Sequence, residues 1–69
     1  MRAVIRYKMD RMSVATRQKT IEVTKNEPNA IVREFISKMN LGKNTYITTI
    51  RCRQTEYQWY GEAKDAGIY

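Results

Sequence analysis

The stretch Thr45–Tyr60, TYITTIRCRQTEYQWY, decides the fold. Its β-branched and aromatic residues suit a pleated, half-buried surface. They predict a third strand over Thr45–Arg53 and a candidate fourth strand over Tyr57–Tyr60, stopping at Gly61. The alternation of the third strand is imperfect. Tyr46, Thr48, Ile50 and Cys52 share one parity, whereas Ile47 falls with Thr49, Arg51 and Arg53. A β-bulge, one extra residue in the strand, would resolve the conflict. Read without it, the core-facing set is Tyr46, Ile50 and Cys52 with Trp59 at the core edge, and the outward set is Thr49, Arg51 and Arg53.

The segments before this stretch supply what it pairs with. Arg2–Met9 alternates with period two, placing Ala3, Ile5, Tyr7 and Met9 on one face and Arg2, Val4, Arg6 and Lys8 on the other. Asp10–Ala15 carries a turn with Asp10 and Ser13 as local hydrogen-bonding residues. Gln18–Lys25 reads as the second strand, with Ile21 and Val23 inward and Arg17 and Lys19 beyond the core edge. Asn26-Glu27-Pro28 begins a helix, because proline is tolerated at the first helical position and biases Glu27 towards an N-cap conformation. Ile31, Val32, Phe35, Ile36 and Met39 then recur at helical spacing, and Gly42 is the expected C-terminal stop.

This order predicts a small α+β domain spanning 1–69: a two-layer β-β-α-β(β) sandwich with an antiparallel sheet in the order 2-1-3 and a candidate fourth strand. One helix covers one face. Residues 62–69 read as a tail that is either a mobile end or an arm docking through Ile68 and Tyr69. A domain of this size buries only roughly 60% of the surface its unfolded chain exposes, so its stability is marginal and a homo-oligomer or a partner would add to it.

Composition narrows the function classes. Thirteen Lys and Arg against seven Asp and Glu leave a net charge of +6, which favours acidic partners. There is no histidine, so the usual general base and the Ser–His and Cys–His pairs are missing. The carboxylates are scattered and no glycine-rich phosphate loop occurs, so the expectation is a non-enzyme with no cofactor and no metal. The single cysteine rules out an intramolecular disulfide framework and fits a reducing compartment, which points to the cytoplasm. Cys52 shares the inward parity of Ile50 and reads as an inert core thiol. No apolar run approaches the roughly 20 residues of a membrane helix, and the polar helix face is poor in cations, so a membrane partner is not expected.

The face of the sheet away from the helix is the main candidate site. Arg2, Arg6 and Lys8 from the first strand and Arg51 and Arg53 from the third would form a basic stripe, flanked by Tyr57 or Trp59. Such a face suits nucleic acid, DNA or RNA, with cations on phosphates and an aromatic ring stacked on a base. The same pattern is also that of a solvated sheet face. The alternative function is a protein-interaction module or inhibitor, of the accessory kind coded by a phage or mobile element, which binds an acidic protein or pairs at a sheet edge.

Overall fold

The computed structural model describes residues 1–67. Strand β1 (Arg2–Lys8) and strand β2 (Arg17–Glu22) form a hairpin, followed by helix α1 (Pro28–Met39), strand β3 (Tyr46–Cys52), strand β4 (Thr55–Glu62) and the 3-10 turn η1 (Ala63–Ala66). The strands form one antiparallel sheet in the order β2-β1-β3-β4. This is the expected α+β sandwich with the fourth strand in place. Among the described residues, no helix is long and apolar enough to cross a membrane.

The core lies between the sheet and α1. Ala3, Ile5 and Tyr7 from β1, Ile21 and Val23 at the end of the hairpin, and Ile31, Val32, Phe35 and Ile36 from α1 are all buried. Phe35 is fully enclosed and meets the Tyr7 ring edge-on at 4.9 Å between centroids, a favoured aromatic geometry. Met39, Leu41, Tyr57 and Trp59 close the edges of this cluster. Met9 does not join it. The strand ends at Lys8, and Met9 is 44% exposed in the hairpin loop.

The third strand does contain a bulge. Arg6 pairs with Thr49 but Tyr7 pairs with Ile47, so Thr48 is the additional residue. Its hydroxyl donates to the Arg6 carbonyl at 2.9 Å. Parity reverses across this point, and Ile47, Ile50 and Cys52 all become fully buried. Tyr46, expected in the core, is turned to the opposite face as the partner of Lys8.

The β3–β4 hairpin has a two-residue loop, Arg53-Gln54, with Arg53 at φ 57. A positive φ at a central position matches the twist of the flanking strands. β4 starts earlier and ends later than expected, running through a buried Gly61 to Glu62. The tail from Glu62 to Gly67 is built into the fold rather than free. Ala63 and Ala66 are buried, Ala63 N–H donates to Thr45 O at 2.8 Å, and Arg33 Nη1 donates to Ala66 O at 2.6 Å. Ile68 and Tyr69, the expected docking residues, lie outside the described residues.

Helix α1 starts where expected, with Pro28 after a Glu27 N-cap at φ −139, ψ 126. Its last residue is Met39, three before Gly42. Asn40 takes the left-handed conformation, φ 53 and ψ 47, and Leu41 N–H donates to Ile36 O at 3.1 Å while Asn40 N–H donates to Ser37 O at 3.3 Å. These two bonds are a Schellman motif, completed by the apolar Leu41 folding back on the core. Asparagine tolerates the left-handed region well enough to stop the helix ahead of the glycine. Asn40→Gly is therefore expected to preserve or raise stability, and Asn40→Ala to lower it by about 1 kcal/mol. Thermal melts of the two variants check this, with the alanine variant melting lower by about 4–8 °C for a domain of this size.

Candidate nucleic-acid interface on the open sheet face

Directly opposed residues of an antiparallel pair share a face. The registers therefore assign the side of the sheet away from α1. It carries Arg2, Val4, Arg6 and Lys8 from β1, and Tyr46, Thr49 and Arg51 from β3. β2 adds Gln18, Thr20 and Glu22, and β4 adds Glu56, Gln58 and Glu62.

The two central strands form a cationic stripe with a structured middle. Val4, Arg6, Gln18, Thr49, Arg51 and Glu56 line a shallow depression with a volume of about 220 Å3. Arg6 Nε donates to Gln18 Oε1 at 3.3 Å, which holds its guanidinium across β2. Towards the hairpin the stripe continues through Lys8, whose Nζ lies 5.0 Å from the centroid of the Tyr46 ring, and Arg11, whose Cζ lies 5.9 Å from it. Asp10 positions Arg11: its Oδ1 accepts the N–H groups of Met12 at 2.9 Å and Ser13 at 2.8 Å, folding the loop back over the sheet.

The expected residues separate into two groups. Arg2, Arg6, Lys8 and Arg51 lie on the open face together. Arg53 occupies the hairpin turn below the stripe instead of a strand position. Tyr57 and Trp59 do not flank the stripe. Tyr57 opposes the buried Ile50 and so faces the helix side, where its hydroxyl is shared between Asn26 O at 3.0 Å and Asn26 Oδ1 at 2.9 Å. Trp59 packs at the core edge, with Nε1 donating to Glu62 O at 3.2 Å. Among the described residues with a register partner, Tyr46 is the aromatic one on the open face.

The parity of β2 already places Glu22 on this face, whereas the acidic residues of β4 and the loop residue Arg11 are not apparent from single strands. Acidic residues border the stripe on both sides: Glu22 on β2, in an ion pair with Arg2 at 3.6 Å, and Glu56 and Glu62 on β4, across from Arg51 and Tyr46. Arg11 joins the stripe from a loop. Once the two-residue hairpin is placed, Arg51 and Glu56 are equidistant from its centre, so the pairing of Glu56 follows from the turn. The turn itself lacks the Asn-Gly signature that would have marked it.

No family model, curated protein or solved structure matches the chain. Its functional reading rests on the geometry of this face. Because Asn26 holds the Tyr57 hydroxyl at the edge of the core, Tyr57→Phe is expected to cost about 0.5–1 kcal/mol of folding free energy. Chemical denaturation read by tryptophan fluorescence measures that loss, and an unchanged midpoint would contradict a structural role.

Proposed function

We propose that this chain is a small non-enzymatic nucleic-acid-binding module that holds the phosphates of a single strand along the open sheet face. The observation that carries the reading is the convergence of Arg6, Arg51 and Thr49 on one depression, with Lys8, Arg11 and Tyr46 continuing the row. Guanidinium forks suit phosphate oxygens, and a threonine hydroxyl donates to them. Residues on one face of a strand repeat every ~6.8 Å, twice the ~3.4 Å rise per residue. That repeat suits successive phosphates of an extended chain. The half-buried Tyr46 ring supplies a stacking platform for a base once Lys8 or Arg11 moves off it onto a phosphate.

The acidic borders support a single strand over a duplex. Glu22 on one side and Glu56 and Glu62 on the other repel phosphates, and confine the favourable path to the width of β1 and β3. A second reading, a module that binds an acidic protein, is favoured by the hairpin loop. Met12 is 85% and Val14 97% exposed there beside Lys8 and Arg11, a mixture of apolar and cationic groups that suits a protein surface.

Fluorescence anisotropy with labelled single-stranded DNA and RNA separates the readings. Binding should weaken steeply with salt, and Arg6→Ala or Arg51→Ala should each reduce affinity about tenfold and lower the salt slope by about 0.7. Glu56→Gln should tighten binding, because it removes a charge that opposes phosphate. Undetectable binding to any oligonucleotide at low ionic strength would remove the nucleic-acid reading. Recovery of one stoichiometric protein after nuclease treatment would replace it with the second.

A further inference from the structure

The outer edge of β2 has an uneven hydrogen-bonding state. Met1 and Val23 exchange both backbone bonds, at 2.8 and 3.2 Å. In an antiparallel ladder such exchanging pairs occur at every second residue. Val23, Ile21, Lys19 and Arg17 therefore direct their backbone groups to β1, and Gln18, Thr20 and Glu22 direct theirs outward. Two side chains of α1 reach the end of this edge. Glu34 Oε2 accepts the Thr24 N–H at 3.0 Å and its hydroxyl at 3.3 Å, and Lys38 Nζ donates to the Glu22 carbonyl. The edge is closed at Thr24 and open from Gln18 to Glu22, a row of exposed residues broken only by the inward-facing Ile21.

We propose that β2 pairs antiparallel with β2 of a second copy of this chain, centred on Thr20. The edge selects that register against its neighbours. Opposed residues must share a face and present outward backbone groups. Centring on Lys19 sets Lys19 against its own copy, and centring on Gln18 sets Arg17 against Lys19; both place like charges opposite each other. Centring on Ile21 requires the Thr24 N–H that Glu34 already occupies. Centring on Thr20 satisfies every condition. Thr20 meets Thr20, the Gln18 amide meets the Glu22 carboxylate on the open face, and Lys19 meets Ile21 on the helix side. The Glu22 carbonyl keeps Lys38 on one lone pair and accepts the Gln18 N–H on the other.

The product is a twofold dimer with one continuous sheet and both helices on the same side. Its two β1 strands lie about 14 Å apart, three inter-strand spacings of ~4.8 Å. The two cationic stripes then run antiparallel on one face. The pairing does not depend on what that face binds.

Sedimentation velocity over micromolar to millimolar concentration tests the association, and a dimer that grows with concentration is expected. Thr20→Pro removes an outward N–H on an edge strand, where proline is tolerated, and should leave a folded monomer by circular dichroism. The T20C variant tests register independently of that fold. Opposed Cα atoms about 5.5 Å apart lie within disulfide reach, and Cys52 is buried, so mild oxidation should yield a covalent dimer. The K19C variant should cross-link at least tenfold more slowly. A monomer at millimolar concentration, a dimer unaffected by Thr20→Pro, or faster cross-linking of K19C than of T20C would each overturn the proposal.

Discussion

The extra residue at Thr48 governs what β3 gives to each side of the sheet. An unbroken strand would have to expose either Ile47 or Ile50, because residues three apart point to opposite faces. The bulge lets both be fully buried, alongside Cys52. On the other side it brings Tyr46, Thr49 and Arg51 into line with Lys8, Arg6 and Val4. The Thr48 hydroxyl bonded to the Arg6 carbonyl anchors the irregularity to the central strand. A bulge locally increases twist, and the cationic depression lies next to it. Core packing and the arrangement of the open face are thus two results of one backbone irregularity.

The charge on that face is more structured than the net charge of +6 implies. Arg6 and Arg51 occupy the middle, while carboxylates line both flanking strands. Two cations elsewhere brace the fold. Arg33 holds η1 through the Ala66 carbonyl, and Lys38 holds the edge of β2. These two positions on the polar side of α1 link the helix to segments far away in sequence, one on each side of it. The basic residues so placed therefore divide between the open sheet face and cross-links that brace a small core.

The architecture was legible because period-two and period-3.6 patterns are local properties of the chain. Ala3, Ile5 and Tyr7 announce β1, and Pro28 with Ile31, Val32, Phe35 and Ile36 announces α1. The errors arose where a local pattern was interrupted. Tyr46 was placed in the core because the position of a bulge is set by cross-strand pairing, which no single strand reveals. The sequence sets Tyr57 beside the open face because the facing of β4 near it follows from the Arg53-Gln54 turn, which carries no turn signature. The helix was extended to Gly42 because glycine is the commoner left-handed stop, and Asn40 took that role first. Arg2, Arg6 and Lys8 are legible as one face because β1 alternates cleanly, and Arg51 joins them because it lies beyond the bulge, in regular alternation with Ile50 and Cys52. Glu22 is legible from the parity of β2, whereas Glu56, Glu62 and Arg11 depend on hairpin geometry that no single strand carries.

The far edge of the sheet differs in kind from β2. On β4, two residues, Trp59 and Tyr60, stand against the single Thr48, and Tyr60 adopts φ 44. A left-handed residue in an edge strand turns its amide and carbonyl out of the ladder direction, so an incoming strand finds no continuous template there. The molecule consequently has polarity as a building block, with one receptive margin and one blunted margin. The proposed association through β2 would use the same surface on both copies and exhaust it. Such a contact closes on itself at two chains and cannot propagate into a filament.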